Sequence, residues 1–418
     1  GKIKAIHKGS GTYVKPNNAT VINARGKILT TGIIDEHSHI ALTRGVNEGG
    51  QAVACEVRME DAINAEDIDV YRQLAGGVTA AQLLHGSANP IGGQSALIKL
   101  KWGHYPHEYG IKNAPKFVKF ALGENVKQTN WGSGRFPQTR MGVEQVYIDA
   151  FARALAYNQS KTPASGRHKD KNFTPPAVDL ELEALYEIVT GERRITCHSY
   201  VQSEINMLMH VADSFGFQVN TFTHILEGYK LADKMKAHGA GASTFSDWWA
   251  YKFEVMDAIP QNAALMTNMG LTVAINSDDA EMGRRLNQEA AKTIKYGGMT
   301  EDQAWKMVTL NPAKLLHLDD RMGTVQVGKD ADLVLWTNNP LSVTAKPLYT
   351  VVDGEILFDA QKDFQVQQDI ASERARIIAK MSEESKKGEP TKPFVRKRKG
   401  HFHCNTLGEE ESFETNEH

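Results

Sequence analysis

From residue 32 onward, short apolar runs alternate with stretches whose apolar positions recur at helical spacing. The runs cover residues 32–39, 78–85, 94–102, 117–124, 194–200, 219–225, 242–247 and 271–278, eight in all, and each reads as a strand. Between them, helices are predicted over 66–74, 142–157, 177–190, 203–215, 229–238, 262–269 and 284–296. Strands alternating with helices imply parallel βαβ units, and eight of them point to a closed barrel. One link breaks the rule. The Gly-rich stretch "HGSANPIGGQ" between the second and third strands leaves no room for a helix.

A different pattern brackets this region. Residues 1–30 show short alternating runs with Gly, Pro and Asn turns, and the same pattern returns over 322–360 in "MGTVQVGKDADLVLW" and "LYTVVDGEILFD". The "DG" step supplies hairpin-turn chemistry. The two terminal segments are expected to pair into one small β-sandwich beside a (β/α)8 barrel over 31–321. Residues 361–418 then read as a charged helix, 364–387, followed by a disordered tail.

Composition narrows the picture in three ways. The 418 residues exceed the roughly 250 of a barrel alone. A net charge of -2 gives no electrostatic reason to expect nucleic acid as partner, and no apolar run approaches the roughly 18 residues of a membrane span. Three dispersed cysteines make no disulfide framework. The chain begins at Gly1 inside a strand-rich segment and reads as a fragment of a longer protein, so its compartment is left open. In the tail, the basic cluster 396–399 reads as a solvated face, and "HFHC" (His401, His403, Cys404) lacks a fourth ligand nearby.

The chemistry lies at the strand ends, where barrels of this type place it. In "LTTGIIDEHSHIAL", His37 and His39 stand one residue apart, so a strand turns both to one face. The fourth strand ends in Glu124, the fifth in His198, the sixth in His224 and the eighth in Asp278. The second, third and seventh end in His85, Trp102 and Asp247. Singly, each has an ordinary reading: a satisfied half-buried histidine, an ion-pair glutamate, an N-cap aspartate. Jointly they form a metal-ligand set. Imidazoles with carboxylates suit a divalent metal, Zn2+ first among them, and six ligands exceed the four positions of a single tetrahedral zinc. Two ions per chain are therefore favoured over one, with His37, His39 and Asp278 on the first, His198 and His224 on the second, and Glu124 bridging. Such a pair would generate a metal-activated hydroxide and polarise a carbonyl, while Asp278 carries the proton to the leaving nitrogen.

These residues resemble the amidohydrolase superfamily. "TTGIIDEHSHI" looks like its signature, with Thr31 where proline is usual, and "GKDADLVLW" and "VVDGEILF" resemble the stretches closing its accessory sandwich. "HGSANPIGGQ", "FALGENVK", "RFPQTRMG" and "HILEGYKLADKM" look most like a branch near imidazolonepropionases and prolidase-like proteins. The resemblance implies barrel plus sandwich and the ligand roles given above. On the fourth strand some members carry a carbamylated lysine instead of a glutamate, and "FVKFALGENVK" also offers Lys119 and Lys127. Glu124 is preferred, because Lys119 lies five residues earlier and would face the other way in a regular strand.

The expected reaction is hydrolysis of an amide or cyclic amide in a small-molecule substrate, with homo-oligomerisation left open. Specificity should come from loops over the mouth, chiefly residues 125–193, whose "SKTPASGRHKDKNFTPP" reads as a lid. Arg140, His85 and Gln94 are the candidate substrate contacts. Two alternatives stand beside this reading: a mononuclear deaminase of a heterocyclic ring, and a catalytically inactive barrel kept as a scaffold.

Overall fold

The structure, a computed structural model, describes residues 1–7, 9, 16–42, 45–128, 132, 134–162 and 173–390. Residues 163–172 of the expected lid sequence, the basic cluster and the "HFHC" tract lie outside the described residues.

One strand, β1 (Ile28–Thr31), precedes the barrel. The barrel strands are β2 (Ile33–Ser38), β3 (Val78–Leu83), β4 (Ile91–Lys99), β5 (Lys116–Ala121), β6 (Arg193–His198), β7 (Thr221–Thr223), β8 (Gly241–Thr244) and β9 (Val273–Ile275). They form one eight-stranded sheet in chain order, β2 to β9. The sheet nearly closes on itself: the Asp278 N–H beyond β9 donates to the His37 carbonyl at 3.0 Å, and the Ser277 N–H donates to Asp35 at 3.1 Å. All eight apolar runs are strands, so the mixed α/β barrel follows from their pattern.

The direction of one strand departs from expectation. β2 and β3 are parallel, as are β5 through β9, but β4 runs antiparallel to both its neighbours. A parallel return needs a crossover of roughly a dozen residues or more. The link from β3 to β4, residues 84–90, is shorter, so the chain must turn straight back. The mouth therefore receives the start of β4, Ile91 to Gln94, and not its end. Trp102 lies beyond the far end and packs on Tyr71, with ring centroids 5.7 Å apart.

Two apolar layers hold the barrel. Side chains between strands and helices form the main core, and Ile34, Ala80, Leu97 and Phe117 plug the lower end against Leu316, Leu318 and Met322. Burying each such side chain is worth roughly 1.5–3 kcal/mol. The helices begin at polar caps: the Asp67, Thr139 and Asp179 side chains accept from Asp69, Gly142 and Leu182 N–H groups.

The terminal segments do meet. β1 pairs with β10 (Leu333–Trp336), which continues through β11 (Pro347–Val352) to β12 (Glu355–Asp359) in a four-stranded antiparallel sheet. Among the described residues the termini thus make one accessory sheet. Lys99, at the lower end of β4, ties it to the barrel: its buried ammonium pairs with Asp330 at 2.7 Å, with Asp332 at 3.1 Å and with Asp353. A helix, Ala360–Lys386, follows β12 directly and buries none of its residues. No helix among the described residues is long and apolar enough to cross a membrane.

Candidate metal centre

His37 and His39 enter the barrel mouth from β2. The register of that strand slips between Asp35 and Ser38, which breaks the usual alternation of faces. Consecutive side chains can then both turn inward. Glu36 accepts hydrogen bonds from Thr223 at 3.0 Å and Ser243 at 2.5 Å, and His37 Nδ1 lies 2.9 Å from the same Thr223 hydroxyl. With its proton directed to Glu36, Thr223 can only accept from His37, so the proton of His37 is on Nδ1 and the lone pair on Nε2. His39 is fixed the same way: its Nδ1 donates to the Leu84 carbonyl at 2.8 Å. Ser87, at 2.8 Å, holds Nδ1 of His198.

The Nε2 atoms so oriented converge. Those of His37 and His39 are 3.2 Å apart, and each is 3.2 Å from Asp278 Oδ1. Donor atoms of His37, His224 and Asp278 all fall within 4.8 Å of one another. The His224 ring lies 4.9 Å from that of His37 and 4.3 Å from that of His198, so the four imidazoles form one contiguous group. Two residues reach it through left-handed backbone, His224 at φ 37° and Asp278 at φ 51°. Aspartate and histidine are among the non-glycine residues most often found there, yet such conformations still cost about 1–3 kcal/mol each. Lone pairs and a carboxylate oxygen packed at hydrogen-bond distance from one another repel unless a cation lies among them. That donor set fits a divalent metal.

The remaining member is Lys119, from β5. It is fully buried, with Nζ 3.3 Å from His37 Nε2. Below the centre, Asn276 donates to Thr223 and Ser243, completing a polar layer in the barrel interior. Burial pushes the Glu36 carboxyl up to about 7 and that of Asp35 to about 6, although Ser277, Ser243 and Thr223 donate to them.

An aromatic wall closes the side beneath β7 and β8. The Tyr200 ring stands 4.6 Å from His198 and 5.0 Å from His224, Phe245 stacks on His224 at 5.6 Å, and Trp248 stacks on Phe245 at 4.4 Å.

A profile of the amidohydrolase family matches residues 200–357. The chain is 29% identical over 372 residues to the amidohydrolase tasK of Hapsidospora irregularis, across 82% of this chain and 38% of that protein. The crystal structure of an amidohydrolase from Thermotoga maritima superposes with a TM-score of 0.76 at 29% identity, covering 84% of this chain and 92% of that one. The chain is thus similar to members of the amidohydrolase superfamily over most of its length. An imidazolonepropionase of Thermoplasma volcanium is 27% identical, across 88% of this chain and 91% of its own length. These relatives agree with the expected class, a hydrolase of carbon–nitrogen bonds, and the mouth holds a candidate metal-binding group.

Within the barrel the expected residues fall into two sets. His37, His39, His198, His224 and Asp278 share the mouth. Glu124 lies past the end of β5, beyond Gly123 at φ 83°, where the chain turns outward; its carboxylate pairs with Lys252 at 2.9 Å. His85 is held between the Glu48 N–H at 2.7 Å and the Gly86 carbonyl at 2.8 Å. Only glycine fits at position 92, because a Cβ there would stand 2.7 Å from His85 Nδ1. Gln94 donates to the Cys55 carbonyl at 2.8 Å, and the exposed Arg140 reaches Ser203 at 3.3 Å. Sequence reasoning missed Tyr200, Ser87 and Thr223, and it weighed Lys119 but preferred Glu124 on strand parity. Lys119 did carry a signal: a lysine inside the apolar run "KFVKFA" has to be buried.

Proposed function

We propose that this protein hydrolyses an amide or cyclic amide of a small molecule with two divalent ions, zinc first among them, bound at the barrel mouth. The convergence of fixed Nε2 lone pairs with Asp278 Oδ1 carries the reading. In this proposal His37, His39 and Asp278 hold one ion and His198 and His224 the other. Lys119 replaces Glu124 as the shared group from the fourth barrel position, in carbamylated form. Support for the exchange is geometric: Lys119 is buried beside His37, whereas Glu124 is engaged by Lys252.

Divalent ions held there supply Lewis acidity toward a carbonyl and acidify water. Asp278 takes the proton of the attacking water at its carboxylate and delivers it to the leaving nitrogen. The Thr223, Ser243 and Asn276 layer fixes the rings from below, and the Tyr200 wall keeps bulk water from one side. The accessory sheet is carried as one layer of a sandwich whose second layer begins near the bridge between Lys2 and Asp330.

The test is elemental analysis of protein purified after metal-supplemented expression, with turnover measured on simple amides and lactams before and after chelation. About two ions per chain, with activity lost on chelation and restored by metal, is the expected result. One ion per chain with ring deamination would replace this reading with the mononuclear one. No bound metal would sink both.

A further inference from the structure

Beyond the aromatic wall, the loop after β8 brings a lysine back over the mouth. Lys252 Nζ lies 4.6 Å from the centroid of the Tyr200 ring, 2.9 Å from Glu124 and 3.1 Å from Glu254. All three charged side chains are largely buried, at 17%, 21% and 8% exposure. The backbone is shaped for this arrangement. The Glu124 N–H donates to Glu254 Oε1 at 2.8 Å, and Gly123 permits the approach, since a Cβ there would lie 2.5 Å from the same oxygen. Tyr251 donates to the Tyr200 hydroxyl at 3.2 Å and fixes that ring. The ring packs in turn against His198 and His224. An ammonium is therefore seated one aromatic ring away from the metal-ligand histidines.

We propose that Glu124, Glu254 and the face of Tyr200 form a subsite for a positively charged group of the substrate, an ammonium or guanidinium, which Lys252 fills when no substrate is bound. This rests on the reading of the mouth as an amide-hydrolysing site. The choice of charge follows from counting. Among the described residues two carboxylates, Glu124 and Glu254, flank the position of the Lys252 ammonium, so a substrate carboxylate seated there meets like charge on both. A substrate cation that displaces Lys252 instead gains both carboxylates and the ring face. Lys252 sits on a flexible four-carbon stem at the rim, and its ammonium regains full hydration on swinging out. It acts as a tethered competitor, and only a cation of matching chemistry recovers what it leaves behind. Burial also pushes the Glu254 carboxyl up, so that carboxylate gains from any cation brought beside it.

The experiment uses the full chain loaded with metal and three probes: N-acetyl-lysine amide, its near-isostere N-acetyl-norleucine amide, and N-acetyl-glutamate amide. Calorimetry should show the lysine probe binding about ten-fold or more tighter than norleucine, with glutamate weakest. Lys252→Met should tighten the lysine probe further and leave norleucine within about three-fold. Glu124→Gln and Glu254→Gln should each shrink the lysine-to-norleucine ratio several-fold. A structural role alone would shift all three probes together. Equal binding of lysine and norleucine, tighter binding of glutamate, binding of none of the three, or a weaker lysine probe in Lys252→Met overturns the proposal. Hydrolysis of the probes is scored separately. Turnover of norleucine amide without a charge preference removes the subsite and leaves the hydrolase reading; a lysine preference without any turnover supports the subsite and counts against that reading.

Discussion

Lys119 Nζ stands 3.3 Å from His37 Nε2, and both side chains are fully closed off from solvent. A lysine is rarely buried without a task, because removing its charge from water is costly unless a partner compensates. Here the neighbours are the imidazoles proposed to hold metal. Lys119→Met should lower the metal content of purified protein by half or more, whereas Glu124→Gln should keep the wild-type content. Inductively coupled plasma analysis of the two variants decides between the two residues, and the opposite pattern would return the bridging role to Glu124.

Asp278 lies within 3.2 Å of both His37 and His39. In the proposed role, a ligand that also moves a proton, two observables separate. Asp278→Asn keeps an oxygen donor of similar shape but cannot accept and release the proton. Metal should be largely retained while kcat falls by about 10²–10⁴-fold, the usual worth of positioned acid–base catalysis. Near-normal turnover in this variant would place the proton shuttle elsewhere.

Much of this architecture was legible in the chain. The apolar runs mark all eight barrel strands, and the mouth histidines and Asp278 follow from reading their ends. Two things were hidden for physical reasons. The direction of β4 depends on what the 84–90 link can span, and a strand's residues look alike in either direction. The choice between Lys119 and Glu124 rested on strand parity carried through to residue 124, but β5 stops at Ala121 and Gly123 turns the chain. Alternation predicts faces only while the ladder lasts. Partners such as Ser87 and Thr223 depend on tertiary approach alone, and no local pattern announces them.

The ionic tie between barrel and accessory sheet gives a stability prediction with a definite sign. Burial raises the Asp353 carboxyl, but Lys101 and Lys99 outweigh it and hold the group down to about 2. A depressed acid contributes stability that is fully present above about pH 4 and is lost as pH falls through about 2. Lys99→Met leaves Asp330, Asp332 and Asp353 without their shared cation. It should cost about 3–5 kcal/mol near neutral pH. The deficit should shrink on acidification toward pH 3, as Asp330 and Asp353 take up protons that the wild type, which holds both carboxyls below their usual range, resists. Urea denaturation at two pH values checks this, and a deficit that grows with acidity would contradict it.

The short link that reverses β4 also carries Ser87, 2% exposed, whose hydroxyl sits 2.8 Å from His198 Nδ1. A helix in this position would have lain outside the barrel; the tight loop instead places a hydroxyl behind the His198 imidazole, a proposed metal ligand. Such groups set ring orientation and basicity, and losing one typically weakens metal affinity about 10–100-fold. Ser87→Ala removes one oxygen and leaves β3 and β4 paired, so the protein should fold normally. Competition against a chelator of known affinity should show the weakened second ion while the first, on His37, His39 and Asp278, holds. The substitution distinguishes a hydroxyl that merely fills the loop from one that positions His198: the former predicts unchanged affinity at both ions, the latter a loss confined to the ion shared with His224.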